Sequence, residues 1–376
     1  MNIGVVLDKI LPSGSGIRRL SFKFCLWIIA AYALSLCVLV LLIRIAFSGR
    51  ELTEQAMNNS QRFIVHVASN AVEGKVLNKN FTQSPGDNNP MPVFDPAAPQ
   101  PAGNAAPDKK DLSAVPLPAL IEQTDKGVLP VAAQNGTLPW KYYARSYNTK
   151  LNTPMVAIVF TNVGLSRTLT DDVLKLPPLM TVGFSPYAND IGKLALRGRR
   201  EGFESVVDLP MQTEDYPFTD PGFFGLMDDL SPDENVNRIH SILYQFPGFV
   251  GMLAPVGETM TANKDAVKPY LIELKKRGLL FLYVKTPKNA ELEDMARVNQ
   301  YYALGIDVVV DAEPTKGEIS RQLQNLVDIA KKQGFAIGLV HSYPSTTDEL
   351  SHWSESVQGQ GVDLVPVTAI AKKSFQ

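Results

Sequence analysis

The chain has 376 residues, of which 45% are hydrophobic, and its 36 Lys and Arg residues nearly balance 38 Asp and Glu residues. The formal net charge of -2 excludes the basic stripe that nucleic-acid binding requires, so no nucleic-acid partner is predicted. The cysteines Cys25 and Cys37 lie in one hydrophobic segment and cannot cross-link a folded domain.

An apolar run from Cys25 to Ile43 contains 19 residues without a charge. It is long enough to cross the lipid bilayer as a helix and lacks the cleavage site of a signal peptide. The following basic residues precede it: Lys9, Arg18, Arg19 and Lys23. By the positive-inside rule we predict a cytoplasmic segment at residues 1–23 and an uncleaved transmembrane anchor at residues 24–47. The protein is thus expected in a bacterial inner membrane, with a single pass and its carboxyl-terminal part in the periplasm.

Residues 48–138 are predicted to be a membrane-proximal segment followed by a linker rich in proline and alanine. Eleven prolines fall between Pro85 and Pro139. This composition cannot bury a core and favours an extended, semi-rigid chain. The folded domain is therefore expected at residues 139–376, at some distance from the membrane.

From Pro139 onward, apolar runs of strand length alternate with amphipathic helices. The apolar run that begins at Met155 is continuous until the polar pair Thr161 and Asn162, which is typical of a parallel strand covered on both faces. Further strands are predicted at 180–184, 204–209, 250–253, 279–284, 306–310, 335–340 and 362–364. Seven or eight such units in about 220 residues favour a closed or nearly closed α/β barrel, because the glycine-rich phosphate loop common in open sheets is absent.

In a parallel barrel the functional side chains lie at the carboxyl ends of the strands. His341 and Asp311 are the candidate catalytic residues, and a hydrogen-bonded structural role is the alternative for each. The predicted substrate-binding residues are Thr161, Asn162, Asp208, Gln212, Glu258, Lys285 and Asp307. For Glu258 and Lys285 the alternative to substrate binding is an ion pair with each other, and His240 is expected on the surface of its helix.

The order of these motifs resembles the divergent polysaccharide deacetylase family over residues 140–369, in particular its alphaproteobacterial members. Ile158 to Ser166 stands where the family has an apolar strand followed by Asp-Asp-Leu-Gly, and Leu209 to Gln212 stands where it has His-Leu-Pro-Met-Glu. Ile337 to His341 matches the family's Ile-Gly-His-Pro. The resemblance implies a distorted (β/α) barrel and kinship with metal-dependent sugar deacetylases.

The same resemblance shows that the active-site motifs are degenerate. Deacetylation needs a carboxylate base and about three metal ligands such as Asp-His-His. Thr161 and Asn162 stand at the paired aspartates of the family. Asp208 and Pro255 stand at its two histidines. No metal or other cofactor is therefore predicted, and Asp208 and His341 are the only candidate ligands for zinc or another divalent metal.

Two functions remain open. The first is a catalytically degenerate, deacetylase-like domain that binds an envelope glycan or a cell-wall remodelling or division protein. The second is an active metal-dependent carbohydrate deacetylase with rearranged ligands. The chain is an enzyme only under the second hypothesis, and the metal content of the protein distinguishes the two.

Overall fold

The computed structural model describes residues 112–147 and 153–375. The predicted cytoplasmic segment, the transmembrane anchor at residues 24–47 and the first part of the linker lie outside the described residues. Within the two described ranges, no helix combines the length and the apolar character needed to cross a membrane.

The described part of the chain is built from short strands and longer helices in alternation. Its strands are β1 (Ile121–Thr124), β2 (Gly127–Pro130), β3 (Met155–Val163), β4 (Thr181–Phe184), β5 (Ser205–Asp208), β6 (Gly251–Ala254), β7 (Leu280–Val284), β8 (Ala303–Ile306), β9 (Val308–Val309), β10 (Phe335–His341) and β11 (Asp363–Leu364). Its α-helices are α1 (Pro139–Tyr142), α2 (Arg167–Val173), α3 (Ile191–Arg200), α4 (Pro232–Leu243), α5 (Glu258–Ala262), α6 (Lys264–Lys276), α7 (Glu291–Asn299), α8 (Lys316–Gln333), α9 (Pro344–Ser356) and α10 (Val367–Ser374).

Strands β3 to β11 form one parallel sheet. Its neighbours follow the order β8-β7-β6-β5-β4-β3-β10-β9, and β11 pairs with the start of β3. The two edge strands, β8 and β9, are consecutive in the chain, with only Asp307 between them. Residues 303–309 therefore pair with β7 at their start and with β10 at their end, which closes the sheet. The predicted parallel α/β barrel is confirmed.

One predicted strand, 306–310, is corrected to the two short strands β8 and β9. The backbone N–H of Asp307 donates to the carbonyl of Ile337 (2.8 Å), and this bond marks the change from pairing with β7 to pairing with β10. The apolar residues on both sides of Asp307 read as one run in the sequence because both strands are short and buried.

Alternate residues of each strand face different apolar clusters. Val159 of β3 and Leu282 of β7 belong to the cluster inside the barrel, whereas Phe160 belongs to the cluster beneath the surrounding helices. Both faces of β3 are thus covered, which is why its apolar run does not alternate.

The amino ends of the strands are closed by segments from both ends of the domain. The backbone N–H of Trp140 donates to the carbonyl of Gly278, just before β7 (3.1 Å). The backbone N–H of Val367 donates to the hydroxyl of Thr181, at the start of β4 (3.1 Å). The opposite, carboxyl ends of the strands are therefore the face available for a functional site.

The predicted linker is wrong for residues 112–138, which pack on the barrel. Leu120 is fully buried, and Leu129 of β2 is 2% exposed. Glu122 of β1 forms an ion pair with Arg277, whose side chain is 3% exposed. The proline-rich composition conceals this hairpin because Arg277 lies 155 positions further along the chain.

The expectation that His240 lies on the surface of its helix is wrong. His240, on α4, is half-buried. Its Nε2 lies 2.6 Å from Oε1 of Glu273 on α6, and Nε of Arg277 donates to the same oxygen (2.6 Å). Burial raises the pKa of Glu273, but the hydrogen bonds and charges of His240 and Arg277 outweigh burial and lower this pKa to about 2. The cluster joins two helices and has a structural role.

Candidate functional site

Asp208, the last residue of β5, reaches across β4 to β3 inside the barrel. Its Oδ2 accepts hydrogen bonds from the hydroxyl of Thr161 (3.1 Å) and from the backbone N–H of Asn162 (2.7 Å). The intervening strand has Gly183 at the crossing point. A Cβ at Gly183 would lie 2.9 Å from Oδ1 of Asp208 and 2.3 Å from the carbonyl oxygen of Phe160. Only glycine leaves room for this contact.

The carboxyl group of Asp208 is enclosed and incompletely bonded. The residue is 2% exposed, and its Oδ1 has no hydrogen-bond partner in the described part of the chain. Burial raises the pKa of Asp208 to about 7, although the hydrogen bonds from Asn162 and Thr161 and the charge of His341 oppose this rise. The group therefore exchanges its proton near neutral pH, whereas an exposed aspartate is ionised there.

His341, the last residue of β10, pairs in register with Thr161 and so stands beside Asp208. Its Nδ1 lies 2.9 Å from Oδ1 of Asp311, and its backbone N–H donates to Oδ2 of Asp311 (2.7 Å). The hydroxyl of Thr346 donates to the same Oδ2 (2.8 Å). Because Asp311 acts as an acceptor for all three groups, we assign the imidazole proton to Nδ1 and the free lone pair to Nε2.

The imidazole of His341 is held by an aromatic contact on one face, in addition to the hydrogen bond at Nδ1. The ring of Tyr343 stacks on it, with centroids 5.2 Å apart and an interplanar angle of 23°. The side chain of His341 is still 28% exposed. We call Thr161, Asp208, Asp311, His341 and Thr346 the His341 cluster. It places an oriented, accessible imidazole next to a buried carboxyl group. This arrangement can accept a hydrogen bond or a proton without a metal.

Tyr343 and Thr346 were missed in the sequence. Both follow β10 closely, Tyr343 as the amino-terminal cap of α9 and Thr346 in its first turn. The loop after a barrel strand is where such a site is built, so their position directly after a predicted strand end was the available signal.

Asn162 and Gln212 lie at the same end of the barrel but use their groups for local structure. Asn162 has a φ of 59°, in the left-handed region that asparagine tolerates, and its side chain is exposed. Gln212 is half-buried, and its Oε1 accepts the backbone N–H of Asp228 (3.2 Å). Asn162 thus serves Asp208 through its backbone, and Gln212 fixes a loop.

Lys285 and Asp307 form an ion pair away from His341. The carboxylate of Asp307 accepts the backbone N–H of Ile337 (2.8 Å). Ile337 precedes His341 by roughly 13 Å along the strand, given the usual rise per residue. The structure therefore does not bring this pair into the cluster. The alternative that Lys285 pairs with Glu258 is wrong, because Asp307 takes that place.

Glu258 instead lines a separate cavity of about 340 Å³ beside the ends of β6 and β7. The carboxylate of Glu258 lies 3.8 Å from Nζ of Lys288. Thr213 and Thr286 also line this cavity; the buried hydroxyl of Thr213 has no hydrogen-bond partner among the described residues, and the side chain of Thr286 caps the turn that follows β7. The cavity is therefore lined by polar as well as apolar groups, and its accessible charges are those of Glu258 and its neighbours Glu214 and Asp215.

The residues of the cluster do not fit the divalent metal that the resemblance implies. The hydroxyl of Thr161 and the N–H of Asn162 direct hydrogens, not lone pairs, at Oδ2 of Asp208. Pro255 has no side-chain ligand atom. In residues 112–147 and 153–375, no three His, Cys, Asp or Glu residues are grouped so that they could hold a metal ion.

Comparison with known proteins identifies the family. The family model "Divergent polysaccharide deacetylase" matches residues 158–371. The crystal structure of the uncharacterized protein ATU2773 from Agrobacterium tumefaciens is similar over 65% of this chain and 99% of that chain, with 31% identity and a TM-score of 0.62.

The uncharacterized protein YibQ from Escherichia coli is 24% identical over 191 residues, which are 51% of this chain and 59% of YibQ. The match thus spans less than two thirds of that relative. The family model covers more than half of the chain and includes Asp208, Asp311 and His341. The resemblance seen in the motifs is confirmed, and this chain belongs to the divergent polysaccharide deacetylase family.

Proposed function

We propose that this chain is an inner-membrane-anchored periplasmic protein whose deacetylase-like domain binds an envelope glycan without deacetylating it. One observation carries the proposal: where related enzymes would need metal ligands, the hydroxyl of Thr161 donates to Asp208, and Asn162 reaches Asp208 only through its backbone N–H while its side chain is exposed. Without a metal and its activated water, the hydrolytic step that the family performs lacks its nucleophile.

The cluster retains what recognition of a sugar requires. Sugar hydroxyls donate and accept hydrogen bonds, and Nε2 of His341 offers an oriented acceptor at the open end of the barrel. The ring of Tyr343, stacked on this imidazole, adds apolar surface next to it. Asp208, which is 2% exposed, is too enclosed for direct contact with a glycan.

Sedimentation with purified peptidoglycan sacculi tests this proposal. The full-length protein should pellet with sacculi, and His341→Ala should weaken binding about tenfold, the effect expected for one well-placed hydrogen bond. His352→Ala is the matched control, because His352 is exposed on α9 and bonds only to the carbonyl of Asp348 (2.8 Å) among the described residues. The control should bind as the wild type does.

Three outcomes would count against this function. Equal binding by His341→Ala and His352→Ala would remove the cluster from glycan recognition. No pelleting of the wild type would leave a cell-wall protein as the ligand. Acetate release from sacculi, abolished by a chelator, would favour the metal-dependent deacetylase instead.

The orientation in the membrane has its own test. If Lys9, Arg18, Arg19 and Lys23 hold the amino terminus in the cytoplasm, a phosphatase fused after Gln376 should be active, because that reporter functions only outside the cytoplasm. A cytoplasmic reporter at the same position should be inactive. The reverse pair of results would overturn the periplasmic assignment.

A further inference from the structure

The loop between β5 and α4, which we define as the 212–230 loop, carries aromatic side chains that the protein itself does not cover. Phe218 is 96% exposed, Phe223 is 50% exposed and Tyr216 is 42% exposed. Soluble proteins rarely leave several large aromatic side chains exposed on one loop unless a partner buries them. The loop follows Asp208 and lies at the open end of the barrel.

The same stretch is strongly acidic. Seven exposed carboxylates lie on or next to the loop: Glu214, Asp215, Asp220, Asp228, Asp229, Asp233 and Glu234. No Lys, Arg or His occurs from 213 to 237. From outside this stretch, Lys288 pairs with Glu214, and Arg238 donates to the carbonyl of Gly225. The remaining excess of negative charge attracts a basic ligand and repels an anionic one.

Hydrogen bonds to the rest of the domain fix the base of the loop, and they hold the exposed aromatic side chains in a defined position. The hydroxyl of Tyr187 donates to the carbonyl of Pro221 (2.5 Å) and accepts the backbone N–H of Phe224 (3.0 Å). The side chain of Asn235 accepts the N–H of Met227 (3.0 Å) and donates to its carbonyl (2.7 Å). A preorganised surface loses less entropy on binding.

We propose that the 212–230 loop is a docking surface for a basic segment of another protein that inserts an apolar side chain beside Phe218. The aromatic rings supply the apolar anchor, and the carboxylates select the positive charge. The adjoining cavity accepts one Lys or Arg side chain of that segment beside Asp215, because Lys288 already pairs with Glu214 and lies 3.8 Å from Glu258. This surface does not include His341 or Asp208, on which the proposed glycan binding rests, so the two proposals can be tested separately.

A neutral envelope glycan fits this surface less well. Aromatic rings stack on sugars and carboxylates accept hydrogen bonds from sugar hydroxyls, but the net negative charge adds no long-range attraction for a neutral glycan and repels an acidic one. A cationic, deacetylated glycan shares the charge of a basic peptide, and the experiment must therefore separate the two.

The test is selection of a random dodecapeptide phage library on the purified full-length protein, with Kd of the enriched peptides measured by fluorescence anisotropy. Enriched peptides should combine positive charge with an apolar residue. Phe218→Ser should weaken them tenfold or more, as an exposed aromatic anchor would. The double variant Asp215→Asn, Asp220→Asn should weaken them severalfold at low salt, and this difference should shrink as salt rises.

Val298→Ser is the matched control, because Val298 is 74% exposed on α7, outside the loop. It should bind within about twofold of the wild type. Failure to enrich basic peptides, or equal binding by Phe218→Ser and Val298→Ser, would overturn the proposal. Binding of chitosan oligomers that is lost in Phe218→Ser, without enriched peptides, would instead assign the loop to a cationic glycan. Sedimentation with sacculi by His341 variants is unaffected by any of these outcomes.

Discussion

Replacing Asp208 by asparagine should stabilise the domain increasingly as the pH rises. The pKa of Asp208 is raised to about 7 in the folded protein, whereas an unfolded aspartate titrates near 3.9. Between these values the unfolded chain has lost a proton that the folded chain keeps, so wild-type stability falls with rising pH. The total loss is about 4 kcal/mol and is complete above pH 7.

Asparagine has no such titration, so the difference in free energy of unfolding between Asp208→Asn and wild type should grow by about 3 kcal/mol from pH 4, where the unfolded aspartate is already half ionised, to pH 7. It should then stay constant to pH 8. The amide oxygen still accepts from Thr161 and Asn162, which limits any local loss. Urea unfolding at four pH values measures the difference.

Asp294→Asn is the control for this experiment. The side chain of Asp294 is 74% exposed and pairs with Arg297 one helical turn away (2.6 Å). Its substitution should change stability by no more than about 0.5 kcal/mol at every pH. Parallel profiles for Asp208→Asn and wild type would show that the buried carboxyl is not the group that loses its proton near pH 7.

Such a result would also bear on function. A carboxyl group that destabilises the fold at neutral pH is poorly explained by structure, because asparagine could accept the same two hydrogen bonds. Groups with strongly shifted pKa values, placed in a cleft, are typical of functional sites. Asp208 and the accessible imidazole of His341 are therefore the part of the barrel where chemistry or recognition is expected.

The strands and their carboxyl ends could be predicted because apolar runs and capping residues are local signals. His341 was found in this way, at the end of a buried run. The contact between Thr161 and Asp208 could not be found, because a third strand lies between theirs and only Gly183 permits the crossing. The spacing of Thr161, Gly183 and Asp208 in the sequence gives no indication of this contact.

Other features depend on partners that are distant in the chain. The hairpin of β1 and β2 is held by Arg277, and the 212–230 loop is held by Tyr187. In both segments proline and polar residues predict a loop. The composition does not reveal which distant residues hold each segment in place. Lys285 pairs with Asp307 and not with Glu258. Asp307 lies where residues 303–309 change their pairing from β7 to β10, and this change could not be predicted from the sequence.

The largest effect is expected from restoring the metal ligands of the family. The full-length variant Thr161→Asp, Asn162→Asp, Asp208→His and Pro255→His removes the hydroxyl that donates to position 208 and places carboxylate and imidazole ligands at the family's positions. It should bind zinc stoichiometrically, and the wild type should bind none. With zinc at about 100 times its Kd, the variant should gain about 2.7 kcal/mol of stability, which a chelator removes.

Position 161 is central to this expectation. The hydroxyl of Thr161 lies 3.1 Å from the carboxylate of Asp208, so side chains at these two positions already converge. An aspartate and a histidine there bring two ligands together, and Pro255→His is intended to supply another from β6. The same variant without Pro255→His is the matched control, and it should bind zinc at least tenfold more weakly, because a three-ligand site has lost one ligand.

Elemental analysis of the purified wild type and calorimetric titration of the variants decide between an eroded site and a rearranged one. Zinc bound by the quadruple variant alone would show that the barrel still positions a metal and that its side chains no longer hold one. Stoichiometric metal in the wild type, lost on Asp208→Ala or His341→Ala, would refute the metal-free site. Asp208 would then be a ligand whose raised pKa opposes metal binding at low pH, because a carboxylate must lose its proton to coordinate.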